Sequence, residues 1–265
     1  MRSLAVVGID SCVGSAVMMH FDGTGEVSGV RLTEQTAVAD LCNTCTDIIV
    51  CGNGSLSFWD DGFSDLQRDC SLVPKYCELA EKTGVRLVYI SSDAVFGSPW
   101  IFHDDDFSKF RDSRISRQLR SIEHGVLMSS RNLVIRTNAI SGMKGFWLDG
   151  LRASFVGQIP VRLPANQYAT PLTTCRLVLL LDHVLQAFCI WAGAERLSPW
   201  KLATQLAREE SISTQSVFPS IDQAPAEQSL RCTRARKEFR LHMPTLRQTI
   251  TELTSELVSG NRQVA

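Results

Sequence analysis

Two glycines near the start of the chain, Gly8 and Gly14, flank a segment of a kind that binds phosphate. Ser11, Cys12 and Val13 lie between them, so the spacing is Gly-x-x-Ser-x-x-Gly. Glycines at the two ends let the backbone turn sharply and approach a pyrophosphate, whose charge the free N–H groups at the start of a helix then stabilise. We therefore expect these five residues to contact a phosphate group. Ser11 takes the place of a middle glycine, so its side chain narrows the space for that group.

A second group of polar residues follows an apolar run at residues 85–90. Ser91, Ser92 and Asp93 come directly after this run. One interpretation is that this Ser-Ser-Asp segment only caps backbone groups at the rim of a sheet.

The elements that would position both groups alternate along the first half of the chain. Short apolar runs indicate buried strands, and apolar residues at helical spacing indicate helices. The predicted strands are residues 4–7, 27–32, 47–51, 85–90 and 133–135, and the predicted helices are residues 14–21, 33–41, 66–83 and 115–128. This alternation predicts a doubly wound parallel sheet, the α/β Rossmann fold, in which a glycine turn after the first strand binds a dinucleotide.

The second half of the chain lacks this regular alternation. Helices are predicted at residues 173–192, 199–208 and 245–258. Residues 211–229 are rich in Ser, Gln and Pro, which is typical of a loop region. We expect a Rossmann domain at residues 1–145 and a small, mostly helical C-terminal lobe at residues 146–265, interleaved with the first domain.

Composition and charge restrict the class of protein further. The chain has 265 residues, of which 44% are hydrophobic and 21% are charged, so it can bury a full globular core. Its net charge of -1 argues against a nucleic-acid partner. The longest apolar stretch, residues 177–192, is interrupted by polar residues and indicates a core helix instead of a membrane span. Without an apolar export signal, a cytoplasmic location with reduced cysteines is expected.

Cys42 and Cys45 show the spacing of a metal or redox motif. A second Cys-x-x-Cys pair is absent from the sequence, and none of the five histidines is near these two residues in sequence. We expect ordinary buried thiols here and no metal site.

The segment from Tyr89 to Gly97, Tyr-Ile-Ser-Ser-Asp-Ala-Val-Phe-Gly, resembles the extended short-chain dehydrogenase/reductases. It is most similar to the dTDP-4-dehydrorhamnose reductase group, in which a strand ends in Ser-Ser/Thr-Asp-x-Val-Phe. Other pieces that match this group follow in the right order along the chain, at residues 103–106, 132–137, 167–171 and 230–244. The resemblance implies hydride transfer between NAD(P)H and a keto sugar. In that reaction a tyrosine donates the proton, a lysine four residues later lowers the tyrosine pKa, and a hydroxyl, matched here by Ser92, orients the carbonyl. The resemblance therefore makes Ser92, with Asp93 beside it, the candidate catalytic residues.

The resemblance also implies further contacts with the cofactor. Gly52 follows the third strand, and Ser91 ends the fourth. Arg136 and Thr137 match a strand end that packs beside the nicotinamide in the family. Arg31, at the end of the second strand, would hold a 2′-phosphate and favour NADP, although a surface arginine is an equally good interpretation.

The proton donor of this family is missing from the sequence. Each of the three tyrosines, Tyr76, Tyr89 and Tyr168, lacks a lysine four residues later. Counting back from Glu123, which matches a family glutamate, places Ile115 and Leu119 in the two catalytic positions, and a shift of one residue places Ser116 and Arg120 there. With either alignment the phenol acid is absent.

Several other charged groups have competing interpretations. One interpretation makes His124, one residue after Glu123, a replacement for the missing acid. Its position on the predicted helix, however, directs it away from the face that carries residues 115 and 119. The stretch at residues 103–106, His-Asp-Asp-Asp, either binds a hard cation or forms a rim loop. Two groups of basic residues are present in the sequence. The first consists of Arg111, Arg114, Arg117 and Arg120, and the second of Arg231, Arg234, Arg236, Lys237 and Arg240. Each either binds phosphates or an acidic partner, or forms a solvated surface.

Two functional hypotheses follow. In the first, the chain binds NAD(P), preferably NADP, or a nucleotide-linked ligand, and is a redox-inactive accessory or regulatory protein with a protein partner or a second copy of itself. In this hypothesis the dinucleotide site itself can also have been lost. In the second, the chain is an active reductase of a small or sugar-nucleotide substrate that uses a substitute acid. Neither hypothesis involves nucleic acid or a membrane. The first is favoured, because the missing residues are those that the chemistry requires most.

Overall fold

Strands and helices alternate along the first half of the chain. The structure is a computed structural model that describes residues 3–22, 26–53, 59, 66–140, 146–157, 159–181, 189–221, 225–238 and 240–261. Its strands are β1 (Ser3–Val7), β2 (Glu26–Val30), β3 (Asp47–Val50), β4 (Arg86–Ser92), β5 (Leu133–Thr137), β6 (Ala139–Ile140), β7 (Val161–Pro164), β8 (Gln167–Tyr168), β9 (Leu172–Thr173), β10 (Cys189–Trp191), β11 (Val217–Ser220) and β12 (Ala226–Glu227). Its helices are α1 (Cys12–Phe21), α2 (Gln35–Cys42), α3 (Leu66–Thr83), α4 (Arg114–Leu127), α5 (Phe146–Gly157), α6 (Thr174–Leu181), α7 (Pro199–Glu209), α8 (Thr233–Glu238) and α9 (Leu246–Asn261).

Six of these strands form a parallel sheet in the order β10-β5-β4-β3-β1-β2. The order reverses between β1 and β3, which is where ligands bind in doubly wound sheets. Every residue of β3 and β5 is buried, because helices cover both faces of a parallel sheet. The Rossmann-type α/β fold predicted from the alternation of apolar runs is confirmed.

The helices cover the sheet with their apolar sides. Helix α3 packs against α4, which also contacts β4 and β5, and α1 packs beside α6. Serine side chains cap the starts of α1, α4 and α7 by accepting a backbone N–H, which explains where these helices begin. Helix α3 ends before Gly84, whose φ of +74° favours glycine.

The C-terminal half contributes to both parts of the molecule. Strand β10 completes the large sheet, and a second apolar core forms around α7, β7, β11 and α9. The lobe also contains short parallel pairs, β7 with β11, β8 with β12 and β6 with β9. The boundary between residues 145 and 146 stays a prediction. Among the described residues, no helix is both long enough and apolar enough to cross a membrane.

Two predicted elements differ from the structure. The helix predicted at residues 173–192 ends at Leu181, residues 182–188 lie outside the described part of the chain, and Cys189–Trp191 form β10 beside β5. A short apolar run does not by itself distinguish a strand from a buried helix, and pairing with β5 selects the strand. Residues 211–229, predicted as a loop, contain β11 and β12.

Candidate cofactor and catalytic site

The glycine turn connects β1 to α1 at the point where the strand order reverses. Gly8 has a φ of +95°, and a Cβ atom there would overlap the carbonyl oxygen of Cys51. A Cβ atom on Gly14 would overlap the carbonyl oxygen of Gly8. The close contacts of both glycines are therefore with the backbone of this chain, and the turn requires them whether or not a ligand is present.

Ser11 is the N-cap of α1. Its Oγ donates to the Gly8 carbonyl oxygen at 2.8 Å and accepts the Gly14 N–H at 2.9 Å. The hydroxyl is thus held inside the turn by two hydrogen bonds. Cys12 and Val13 form the first turn of α1, and the Val13 side chain is buried, so only its backbone is available to a ligand at this helix start.

Arg31 and Gly52 lie at the ends of the strands that flank β1. Arg31 follows β2 directly and is exposed. Gly52 follows β3, and a Cβ atom there would overlap the carboxylate of Asp69. Asp69 is fully buried, and its Oδ1 accepts a hydrogen bond from Asn53 Nδ2 at 3.3 Å. The sequence did not indicate that α3 places an acid beside Gly52, because nothing in the spacing of these residues shows the contact.

Ser91 and Arg136 meet Glu123 in a buried ion pair. The Arg136 guanidinium donates to both carboxylate oxygens of Glu123, from Nε at 2.9 Å and from Nη2 at 2.6 Å. Ser91 Oγ donates to Oε1 of the same carboxylate at 2.6 Å. The pair joins α4 to β5, and the Arg136 guanidinium also lies 5.1 Å from the ring of Phe96. Both side chains predicted to contact the cofactor are therefore engaged in the core, and their contact with a cofactor stays a prediction.

Ser92 and Asp93 lie together at the end of β4. Ser92 Oγ donates to Asp93 Oδ1 at 3.0 Å and accepts the Ala94 N–H at 3.1 Å, so it caps the short 3-10 helix Asp93–Val95. Asn138 Nδ2 donates to the other oxygen of Asp93. Thr137 is paired in register with Ser92, and its buried hydroxyl has no hydrogen-bond partner in the described part of the chain. The capping interpretation of Ser92 agrees with this geometry, and its catalytic role stays a prediction.

Helix α4 presents serine, and not tyrosine, to the end of β4. Ser116 is fully buried, and its Oγ donates to the Val95 carbonyl oxygen at 2.9 Å. Ile115 is only half-buried, whereas Leu119 lies in the core. The Arg120 guanidinium lies 4.8 Å from the ring of Phe110, and its buried Nε has no hydrogen-bond partner among the described residues. Ser116 and Arg120 thus lie on the side of α4 that faces the candidate site.

The three tyrosines lie in different environments. Burial, followed by the charges of Asp69 and Glu123, raises the pKa of Tyr89 well above its ordinary value. Burial raises the pKa of Tyr76 to about 12, and its hydroxyl donates to the Leu32 carbonyl oxygen. The ring of Tyr168 lies 3.4 Å from the Arg196 guanidinium.

The acidic stretch at residues 103–106 joins the loop after β4 to the C-terminal lobe. The His103 ring stacks on Phe96, with 4.5 Å between the ring centroids. Asp105 accepts the backbone N–H of Ile190 at 2.7 Å and that of Arg234 at 3.1 Å. These contacts agree with the rim-loop interpretation. In the described ranges, no three His, Cys, Asp or Glu residues are placed to hold a metal ion.

The remaining motifs are also located. Burial, followed by the charge of Cys42, raises the pKa of Cys45 to about 11, so this thiol is protonated and unreactive at neutral pH.

The first basic group divides between two environments. Arg114 and Arg117 are exposed, whereas Arg120 is partly buried against Phe110. His124 is exposed, as its helical phase predicts.

Comparisons with known proteins agree with the resemblance at the level of the fold. No family model and no curated protein sequence matches the chain. Among solved structures, the dTDP-4-dehydrorhamnose reductase of Bacillus anthracis in complex with NADP has a TM-score of 0.83 at 14% identity, over 97% of this chain and 99% of that one. The dTDP-4-dehydrorhamnose reductase of Clostridium acetobutylicum has a TM-score of 0.82 at 16% identity, over 97% and 100%.

A third similar structure is the Bordetella bronchiseptica enzyme WbmG in complex with NAD and UDP. Its TM-score is 0.78 at 15% identity, over 97% of this chain and 94% of that one. The chain therefore has the fold of the dTDP-4-dehydrorhamnose reductases and of WbmG.

Proposed function

We propose that the chain binds a nicotinamide dinucleotide at the turn of residues 8–14 but does not carry out tyrosine-dependent reduction, and that it acts as an accessory or regulatory protein. The observation that carries this proposal is the replacement of the proton donor on α4. Ser116 lies against the end of β4, and its hydroxyl is engaged by the Val95 carbonyl oxygen.

Several features support dinucleotide binding. The turn between β1 and α1 keeps the geometry that such a ligand needs, with the start of α1 directed at the point where the strand order reverses. The Thr137 hydroxyl and Asn138 Oδ1 are buried at the end of β5 and have no partner in the described part of the chain. The hydroxyl can donate to or accept from a ligand, and the amide oxygen can accept. Similar structures were solved with NADP or NAD.

Each end of this site would have its own role in binding. Backbone N–H groups at the start of α1 bind the pyrophosphate, and the exposed Arg31 guanidinium pairs with a 2′-phosphate, which makes NADP the preferred form. A bound NADPH supplies a hydride. A reduction also requires a proton donor with a pKa near the working pH within hydrogen-bond reach of the substrate oxygen. Neither the Ser116 hydroxyl nor the Tyr89 phenol, with its raised pKa, meets this condition.

An active reductase with a substitute acid is the second candidate, and one observation favours it. The Thr137 hydroxyl is fully buried and unpartnered among the described residues, and it is paired in register with Ser92. Two hydroxyls at the same strand ends can orient a substrate carbonyl. In this case Ser92 keeps its role, and turnover depends on it.

Fluorescence titration of the purified chain with NADPH and NADH tests the binding. We expect NADPH to bind more tightly than NADH, and Arg31→Ala to weaken NADPH about tenfold while NADH is unaffected. Arg208→Ala, which removes an exposed arginine of α7, is the matched control and should change neither affinity. Absence of binding of both dinucleotides would contradict the cofactor part of the proposal.

Turnover separates the two candidates. The same preparation is assayed for NADPH oxidation with keto sugar nucleotides. Saturable binding with no turnover supports the redox-inactive proposal. Turnover that is lost in Ser92→Ala while NADPH binding is kept would overturn it and establish the active reductase.

A further inference from the structure

A groove with a volume of ≈ 470 Å³ opens beside the edge strand β10. Segments that are far apart in the sequence form it, namely the loop after β4, the residues that follow β10, and both ends of α8. Phe102, Leu230 and Met243 provide its apolar part. The volume lies within the range of about 300–1,000 Å³ that is typical of small-molecule sites.

Two arginines and a histidine line the same groove, namely Arg231, Arg236 and His242. All three are exposed, and no hydrogen bond or ion pair is formed by their side chains with the described residues. The Arg231 guanidinium lies 5.8 Å from the ring of Phe102. None of the described residues that line the groove is acidic.

The acidic groups near these residues in sequence lie outside the lining of the groove. Glu238 pairs with Arg234 at 3.0 Å, and Asp104 accepts a hydrogen bond from the Thr233 hydroxyl at 2.5 Å. Asp105 accepts the Arg234 backbone N–H, and Glu195 accepts that of Leu246. The guanidinium groups of Arg231 and Arg236 therefore share the groove with no carboxylate among the described lining residues.

The charge and shape of the groove point to one class of ligand. Guanidinium groups bind phosphate through two parallel hydrogen bonds, and two of them with an imidazole suit a phosphate monoester. The apolar residues beside them suit an aromatic or aliphatic group attached to that phosphate. We propose that the groove binds a small phosphate ester with an apolar organic part.

This site is separate from the proposed dinucleotide site, and the proposal does not rest on it. In the sheet, β10 and β1 are four strand spacings apart, or roughly 19 Å, because adjacent strands lie about 4.8 Å apart. A ligand in the groove and a pyrophosphate at the glycine turn can therefore bind at the same time. An occupied groove would give the accessory protein a means of responding to a phosphorylated metabolite.

Calorimetric titration of the full chain with phenyl phosphate tests the proposal. We expect saturable binding, and a loss of affinity of about tenfold in Arg236→Gln and in Arg231→Gln, because each variant removes a charged hydrogen-bond donor. Arg208→Gln is the matched control and should bind like the unaltered chain. Inorganic phosphate should bind more weakly than phenyl phosphate, and saturating NADPH should leave the phenyl phosphate affinity unchanged.

Three results would overturn the proposal. One is the absence of saturable binding by the unaltered chain at millimolar phenyl phosphate. Another is equal affinity in the Arg231→Gln/Arg236→Gln double variant and in Arg208→Gln. The third is displacement of phenyl phosphate by NADPH, which would assign the binding to the glycine turn. Because both arginines are exposed, the variants are expected to keep the unfolding temperature of the unaltered chain, which thermal denaturation checks.

Discussion

The two ends of the candidate site, the glycine turn and the junction of β4 with α4, differ in what fixes their residues. At the turn, side chains on Gly8 and Gly14 would overlap the backbone of the chain itself. At the junction, where the resemblance places the tyrosine at Ile115 or Ser116, Ser116 Oγ donates to the Val95 carbonyl oxygen. The fold therefore requires the residues of the first end and tolerates exchange at the second.

This difference separates evidence for a fold from evidence for a reaction. The glycines of the turn would be kept by packing even in a chain that had lost its ligand, because a Cβ atom on either one would overlap the backbone of Cys51 or Gly8. A catalytic side chain has no such structural duty. The residues at the junction therefore bear on the proposed chemistry, whereas the turn reports mainly on the fold.

The largest expected effect is at the turn. Gly8→Ala combines a strained backbone at a φ of +95° with an overlap on the Cys51 carbonyl oxygen. Strain and overpacking together should lower the free energy of unfolding by about 4 kcal/mol. Urea denaturation followed by circular dichroism measures this loss.

Gly125→Ala, in α4 at the junction end of the site, is the control for Gly8→Ala. Gly125 lies in α4, and a Cβ atom there would have no neighbour within 4 Å. Because alanine stabilises a helix more than glycine does, the free energy of unfolding should rise by up to about 1 kcal/mol. If both substitutions had similar effects, the turn would not be the rigid end of the site.

The buried ion pair at the junction should give the next largest effect. Arg136→Leu leaves the Glu123 carboxylate buried without its cation, with only Ser91 still donating to it. Breaking one side of such a pair should cost about 3 kcal/mol of unfolding free energy. The measurement is again urea denaturation.

A double variant tests whether Glu123 causes this loss. Arg136→Leu combined with Glu123→Leu removes both charges, so it should be more stable than Arg136→Leu alone. NADPH binding should be kept in the double variant if the pair only supports the junction. A loss of NADPH binding in a folded double variant would instead assign Arg136 to the cofactor site.

Sequence patterns predicted the scaffold better than the contacts within the site. The first five strands follow from local apolar runs, the turn follows from its glycines, and both are present, whereas β10 was predicted as part of a helix. Asp69 beside Gly52, and Glu123 beside Arg136, are contacts between elements that the spacing along the chain does not encode. The role of Ser92 as a cap also depends on the direction of the chain after β4, which only the structure shows.

The acidic stretch at residues 103–106, which contacts β10 and α8 through Asp105, should make the stability of the chain depend on pH. Burial, opposed by hydrogen bonds from Arg234 and Ile190, raises the pKa of Asp105 from 3.8 to about 6. The folded state therefore holds this proton more tightly than the unfolded state. The stabilisation is complete below about pH 4 and is lost as the pH rises through about 6.

Asp105→Asn removes this titration. Compared with the variant, the unaltered chain should lose on the order of 1 kcal/mol of unfolding free energy between pH 4 and pH 6. Urea denaturation of both proteins at several pH values measures the difference. Parallel curves over this range would contradict the raised pKa of Asp105 in the folded chain.

The smallest expected change in unfolding free energy comes from two buried tyrosines, Tyr76 and Tyr89, whose hydroxyls differ in their hydrogen-bond partners. Tyr76→Phe removes a hydroxyl that donates to the Leu32 carbonyl oxygen and should cost about 1 kcal/mol. Tyr89→Phe removes a buried hydroxyl that has no partner among the described residues, so the free energy of unfolding should stay the same or rise by less than about 1 kcal/mol. Thermal and urea denaturation of the two variants give the comparison. If Tyr89→Phe instead destabilised the chain or abolished a turnover that Tyr76→Phe retains, the junction would still hold a working phenol, and the contrast between a preserved turn and an exchanged catalytic end would fail.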